Sequence, residues 1–299
     1  MKKNVIISLA DSNYFELLNE LIDSIKRFEE SKNISICILN AGLKNNEIKA
    51  LSKKVDEIKD ANWDIAVPKH KIGQKEWLKS QVSRAFIPNY FPGYEKYLWI
   101  DADAWVNSWE AIELYFKGCN NNKLAIATSA DRSYGRVLRA EWFLKSFAII
   151  KSQNYKHAKS SGFSEKIARK VALMPHLNIG VFSLEKNAPH WQVWQKNLKQ
   201  ALSKGKIWGS EQIAMNITIY VDELPVEILP AYCNWTLINK LKYDQSKNTL
   251  VEYYLPHHKI GIVHLAGKNN DHIRYNKEYL SEIETLDGKN IKKKLRFNN

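Results

Sequence analysis

Tyr97-Leu98-Trp99-Ile100-Asp101-Ala102-Asp103-Ala104-Trp105-Val106 decides how the rest of the chain is read. Four apolar residues of strand type run into two carboxylates separated by one residue, and apolar residues then resume. Carboxylates leaving a strand end carry hard oxygen donors to the mouth of a sheet. An α/β protein holds a divalent cation against a phosphorylated ligand there. Asp-x-Asp is also common in solvated turns, so the pair alone is a weak signal, and its strand-end placement brings a metal role level with a turn.

The flanking sequence places the pair in an alternating pattern. Val5 to Leu9 reads as a buried strand, and 14–28 as a helix with Phe15, Leu18, Ile22 and Ile25 on one face. Ile34 to Leu39 predicts a strand, 45–58 a helix, 76–90 a helix ending near Pro88, and Leu124 to Thr128 another strand. This βαβα order predicts an α/β domain with a mainly parallel sheet and helices on both faces. Farther on, 136–173 reads as mostly helical, basic and broken at Gly162. Strands are expected at Ile179 to Leu184, Val226 to Leu229 and Ile260 to Leu265, and helices at 190–202 and 210–220. No linker or internal repeat divides the chain. The expected organisation is one catalytic domain over 1–270 with a helical insert at 134–173, then a basic tail over 271–299.

Composition narrows the partners. Lys and Arg outnumber Asp and Glu by 45 to 32 in 299 residues, which favours anionic ligands such as nucleotides, nucleic acid or anionic lipid, or reflects a lysine-rich surface. Cys37, Cys119 and Cys233 are too dispersed for a disulfide framework or a zinc site, which suggests a reducing, cytoplasmic setting. The first residues lack the long apolar core of a signal peptide, and no uncharged apolar run reaches the about 18 residues of a membrane span. The ten tryptophans suit a core or a sugar-lining surface. Lys289 to Phe297, KNIKKKLRF, reads as a disordered end or as a patch for anionic membrane.

Other segments could serve the same site. Ile260 to Leu265 carries His264, followed by Gly267 and Lys268: an imidazole for a metal, a glycine for close approach to phosphate, and a compensating cation. His264 alone reads more readily as a core or hydrogen-bonded histidine than as a ligand. After the first strand, Asp11 and Ser12 precede a helix and would cap it. The functional alternative is a nucleoside contact, with Tyr14 stacking on a base and Asp11 accepting a hydrogen bond. Glu211 and Gln212 fall where a helix capped by Ser210 favours acidic residues, and Asn178 and Gly180 fall where a turn enters a strand. Gly-x-Gly-x-x-Gly and the P-loop are both missing, which argues against a Rossmann dehydrogenase and a P-loop NTPase.

Seven short motifs in fixed order resemble glycosyltransferase family 8, a retaining GT-A group that includes lipopolysaccharide galactosyl- and glucosyltransferases and glycogenin. They are Ala-Asp-Ser-Asn-Tyr (10–14), Ile-Leu-Asn-Ala-Gly-Leu (38–43), Ser-Arg-Ala-Phe (83–86), Leu-Trp-Ile-Asp-Ala-Asp (98–103), Leu-Asn-Ile-Gly-Val-Phe (177–182), Ser-Glu-Gln-Ile-Ala-Met-Asn (210–216) and Val-His-Leu-Ala-Gly-Lys (263–268). The resemblance covers most of 4–268 and implies a Rossmann-like GT-A fold. It implies Mn²⁺, with Mg²⁺ as second choice, on Asp101, Asp103 and His264. Ala10, Asp11, Asn13 and Tyr14 would hold the uridine of a UDP-sugar, Asp101 and Ala102 would touch the nucleotide, and Gly267 and Lys268 would face the diphosphate. Arg84, Asn178, Gly180, Glu211 and Gln212 would surround the donor sugar, with Gln212, Glu211 and Asn178 nearest the chemistry. An amide is a poor nucleophile, so the expected mechanism is front-face attack assisted by the leaving phosphate.

The resemblance is incomplete in places. Ser12 replaces a commonly acidic residue, Glu211 a common Asp, and Lys268-Asn269-Asn270 the usual Lys-Pro-Trp. The 134–173 segment has no family counterpart and is the candidate acceptor region. The resulting expectation is hexose transfer, galactose or glucose, to a lipopolysaccharide, lipooligosaccharide or other cell-surface glycan, or to a glycolipid. The setting would be cytoplasmic, with peripheral contact at the inner membrane face through 289–297 and no nucleic-acid partner. The alternatives are a nucleotidyltransferase and a basic nucleic-acid-binding protein.

Overall fold

The computed structural model describes residues 2–73, 75–132, 134 and 139–298. In chain order its strands are β1 (Asn4–Ala10), β2 (Ile34–Asn40), β3 (Glu57–Asp60), β4 (Lys96–Ile100), β5 (Ala104–Val106), β6 (Leu124–Thr128), β7 (Arg139–Phe143) and β8 (Phe147–Lys151). They continue with β9 (Leu177–Glu185), β10 (Val226–Leu229), β11 (Trp235–Thr236), β12 (Leu241–Asp244), β13 (Thr249–Glu252), β14 (Ile262–His264), β15 (Ser281–Thr285) and β16 (Asn290–Lys293).

The central sheet has the order β10-β6-β9-β4-β1-β2-β3. Its pairings are parallel except those of β9, which runs antiparallel to β4 and β6. The sheet is therefore mainly parallel, as expected, with one reversed strand in its middle. The reversal has a consequence for the site. The carboxyl ends of β1, β2 and β4 share one edge, and β9 brings its amino end to that edge, with Val181 beside Ile100.

Both faces of the sheet are covered, so its strands are apolar on both sides. Along β1, Val5, Ile7 and Leu9 join one core while Ile6 and Ala10 join the other. Tyr97 and Trp99 of β4 go to the first core, Leu98 and Ile100 to the second. The helix His190–Lys204 lays Trp191, Trp194 and Leu198 on the first face. Helices Phe15–Lys26 and Trp109–Gly118 cover the second with Leu18, Ile22, Ile112 and Tyr115. Trp99, Trp105, Trp109, Trp191, Trp194 and Trp235 are all buried, so most of the tryptophan content is core.

Several expectations are corrected. The helix expected over 45–58 stops at Leu51, and Glu57–Asp60 instead adds a parallel edge strand beside β2. The stretch 76–90 is helical as expected but broken into four short pieces, 3-10 over Glu76–Lys79 and Arg84–Phe86 and α over Ser80–Ser83 and Ile87–Tyr90. In the insert, 139–151 is a β7–β8 hairpin rather than helix. Helices Gln153–Ser160 and Glu165–Ala172 follow, separated at Gly162 with φ +75° as expected, while 135–138 of the expected helix lie outside the described residues. Ser210 does not cap its helix. That helix begins at Ile207, kinks at Gly209 (φ +88°), and the Ser210 hydroxyl donates to the Lys206 carbonyl.

The basic 289–297 stretch is not a free end. β15 and β16 complete a sheet of order β13-β12-β15-β16. Leu295 and Phe297 are buried, Phe297 lies 5.9 Å from the Trp105 ring, and the buried Arg296 donates to Glu20 at 2.6 and 3.0 Å. The apolar side chains that a lipid surface would need here are turned inward. Among the described residues, no helix is long and apolar enough to cross a membrane. Because Phe297 is a core residue, Phe297→Ala is expected to lower unfolding free energy by about 3 kcal/mol in urea titration. A free tail would show no change.

Candidate active site

Asp101 follows β4 directly, and its backbone N–H donates to the Gly180 carbonyl at 2.8 Å. The Ala104 N–H closes back on the Asp101 carbonyl at 3.0 Å, a tight turn that points Asp101 and Asp103 at the sheet edge. β5 then pairs antiparallel with β14, which sets His264 opposite Ala104. The backbone thus converts two distant segments into one cluster. One donor atom from each of Asp101, Asp103 and His264 lies within 4.8 Å of the others. His264 Nε2 is 3.3 Å from Asp103 and 3.8 Å from Asp101, and Nδ1 is 2.9 Å from the Asn234 Oδ1 acceptor. Because an amide oxygen can only accept, Nδ1 donates to Asn234, which leaves Nε2 facing the carboxylates as the nitrogen that a cation would take. Two carboxylates and one such imidazole fit a divalent cation.

Gly180 makes this packing possible. A Cβ there would stand 2.3 Å from His264 Cε1 and 2.9 Å from Asp101 Oδ2, and Asn178 Oδ1 holds the Gly180 N–H at 3.1 Å.

Two arginines balance the acidic groups. Arg84, buried at the junction of two short turns, lies 2.6 Å from Asp101 and 3.5 Å from Glu211, with its guanidinium 4.7 Å above the Trp99 ring. The Trp99 indole N–H donates to Asp101 at 2.8 Å. Arg274 approaches Asp103 to 3.8 Å, is salt-bridged to Asp271, and donates to the carbonyls of Leu265 and Gly267. Desolvation pushes Asp101 up despite Arg84 and His264. The same desolvation acts on Asp103, but His264 and Arg274 outweigh it and hold that carboxyl below the usual range. His264 is lowered by burial, yet Asp103 and Asp101 pull it above the ordinary imidazole value.

Glu211 is wholly buried and neither carboxyl oxygen has a hydrogen-bond partner among the described residues. Burial pushes it up to about 8, which Arg84 offsets only in part. Gln212 is partly exposed and donates from Nε2 to the Leu177 carbonyl at 2.7 Å. Its amide also hydrogen-bonds the His176 ring, whose Nδ1 meets Asn154 Oδ1 at 2.5 Å. Burial lowers His176 to about 4, so this imidazole is neutral at neutral pH.

Neither Asp11 nor Ser12 caps the helix Phe15–Lys26, whose N-cap position is Tyr14 with no side-chain cap; Asp11 instead closes the loop before it. Its carboxylate accepts from the Asn13 and Tyr14 backbone N–H groups at 3.0 and 3.2 Å and from the Asn13 side chain at 3.0 Å. Ser12 bonds Glu47 at 2.6 Å. Tyr14 is half-buried, raised first by desolvation and then by Asp103, and meets Tyr275 edge-on at 6.5 Å. The loop therefore borders the carboxylate cluster. Ala10 and Ala102 are buried against it. Gly267 has φ +98°, and the Lys268 side chain lies outside the described residues. Sequence reasoning missed Arg274, Asn234, Trp99 and His176. The short spacing from Gly267 to Arg274 was the one available signal.

A mainly parallel sheet with one reversed strand, carboxylates at its carboxyl edge and helices on both faces defines a GT-A glycosyltransferase. The model of glycosyl transferase family 8 matches residues 5–268, and the chain belongs to that family. No curated protein sequence matches it. Among solved structures it is similar to the galactosyltransferase LgtC in complex with donor and acceptor sugar analogs. That match has 13% identity and TM-score 0.53 over 88% of this chain and 87% of that one. It is also similar to the bifunctional glycosyltransferase WbbM, at 19% identity and TM-score 0.55 over 89% and 46%. Mouse xyloside xylosyltransferase 1 matches at 11% and 0.51 over 90% and 99%. The protein is a glycosyltransferase, with a nucleotide-sugar donor and a glycan acceptor, which decides among the three readings of the sequence.

Two outcomes test the geometry. Gly180→Ala should abolish divalent-cation binding measured by calorimetry while the protein remains folded by circular dichroism. Between about pH 4.5 and 8 native Glu211 keeps a proton that the unfolded chain has lost, so its burial costs stability as pH rises. In metal-free protein, Glu211→Gln should therefore gain stability relative to wild type across that window, read from urea midpoints at each pH. A constant difference would remove the buried-proton assignment.

Proposed function

We propose that the protein transfers a hexose, galactose or glucose, from a UDP-sugar to a cell-surface glycan such as lipopolysaccharide or lipooligosaccharide, with retention of anomeric configuration. The observation that carries the reading is the Asp101–Asp103–His264 cluster at the carboxyl edge of the sheet, with His264 oriented by Asn234. Hard carboxylate oxygens with one imidazole suit Mn²⁺ ahead of Mg²⁺. A divalent cation there supplies charge stabilisation for a diphosphate leaving group.

The remaining roles fall to the chain. The Asp11–Tyr14 loop borders the cluster and suits the nucleoside, with Ala10, Asn13 and Ala102 around it. The left-handed backbone at Gly267 suits close approach of the diphosphate, and Lys268 would supply charge. Gly180 leaves room beside Asp101, and Asn178 holds the Gly180 backbone. Arg84 bridges Asp101 and Glu211, so Glu211 acts on the donor through Arg84 rather than by touching it. With Nε2 of Gln212 committed to Leu177, its carbonyl oxygen is the atom available beneath a sugar. That oxygen would favour positive charge at the anomeric carbon, and front-face attack assisted by the leaving phosphate needs no covalent intermediate on it. Residues 134–173 are the proposed acceptor region, and the proposed setting is cytoplasmic, in line with three dispersed free cysteines.

A thermal-shift screen of UDP-sugars with and without Mn²⁺ tests the reading, since a ligand of the native state raises the melting temperature. UDP-galactose or UDP-glucose should do so with metal present, and turnover should release UDP. Asp103→Ala should lose the metal-dependent shift, and Gln212→Ala should lower kcat by about 10²-fold or more with the shift retained. No shift with any UDP-sugar would overturn the donor assignment.

A further inference from the structure

Among the described residues, the β7–β8 hairpin, Arg139–Lys151, carries a dense run of exposed apolar side chains. Trp142 is 75% exposed, Phe143 52%, Leu144 72%, Phe147 65% and Ile150 55%. Period-2 alternation sends Trp142, Ala148 and Ile150 to one face, and Phe143, Phe147 and Ile149 to the other. The end of the hairpin is therefore apolar on both faces, and its turn carries one apolar residue, Leu144, followed by the exposed Lys145 and Ser146. Behind the tip, Glu141 and Lys151 pair at 2.5 Å on the second face. Apart from Lys145 at the turn, the outer half of the hairpin is apolar and its base carries the charged pair.

The base is anchored. The Ser152 hydroxyl donates to the Ala172 carbonyl, and Asn154 donates to the Met174 carbonyl at 3.0 Å. Leu173 and Met174, both exposed, lie on the body beside this anchor. From 139 to 172 the chain carries eight Lys and Arg residues against Glu141 and Glu165, within a molecule of net charge +13.

We propose that this hairpin is a wedge that inserts into an anionic lipid surface. A protein partner covers one face of a two-stranded ribbon and would leave the other in water, whereas a bilayer interface surrounds both. Five residue pairs at about 3.3 Å each reach about 16 Å, and amphipathic segments sink about 5–10 Å into the headgroup region. Tryptophan suits that depth, and the basic residues behind the tip meet the headgroup charge. The wedge stands on the hairpin alone and is independent of which sugar is transferred. It also replaces 289–297 as the membrane-facing element.

Sedimentation with phosphatidylcholine vesicles, with and without phosphatidylglycerol, tests it. Wild-type protein should pellet with the phosphatidylglycerol vesicles and be released in part by high salt. The triple variant Trp142→Ser/Phe143→Ser/Phe147→Ser should partition at least about tenfold less, at an unchanged melting temperature. Equal partitioning of the variant, or no pelleting of wild type with either vesicle, would overturn the proposal. So would a dimer in light scattering that the variant abolishes without any vesicle binding.

Discussion

Three carboxylates crowd one end of this sheet, and the site depends on how their repulsion is answered. Asp101 and Asp103 are partly open and Glu211 is sealed. Arg84 is shared between Asp101 and Glu211 and flattened on Trp99, while Arg274 stands behind Asp103 and His264 lies between the aspartates. Like charges at this spacing raise one another's proton affinity, and unpaired buried charge is strongly unfavourable. The cluster therefore interleaves two arginines and an imidazole with the aspartates, while burial keeps a proton on Glu211. A dication adds to a pocket in which the acidic groups are already held apart at binding distance.

The fold supplies that spacing through one reversed strand. Because β9 runs antiparallel to β4, Gly180 arrives beside Asp101 instead of at the opposite edge. With a side chain there, His264 could not sit against Asp101. The antiparallel pairing of β5 and β14 then brings in His264 from a segment remote in sequence.

Much of this was legible in the residues. The apolar runs at β1, β2, β4, β6 and β9 carry strong strand signals, and the Asp101–Asp103–His264 grouping follows from strand ends in a βα alternation. The misread elements lack such signals. β3 is an edge strand whose EIKD sequence has little apolar pattern, and Leu51 to Val55 continues helical spacing across the true helix end. The β7–β8 turn has no glycine. Leu144 and Lys145 take positive φ themselves, so no turn dipeptide marks the hairpin. The lysine-rich tail reads as disordered because its partners are remote: Arg296 finds Glu20, and Phe297 finds Trp105. Arg274 was invisible for the same reason, since its contact with Asp103 depends on tertiary packing.

The docking of residues 290–297 bears on the order in which the molecule can mature during synthesis. The Arg296 guanidinium donates to the Arg274 carbonyl at 2.9 Å, and Arg274 in turn holds the Leu265 and Gly267 carbonyls beside His264. A ribosome-bound chain could form β1, β2 and β4 early. It could not brace the His264 side of its own site until Arg296 had left the exit tunnel. The His264 side of the pocket is thus completed by a segment some thirty residues farther along the chain, after the strands that carry the carboxylates are already in place.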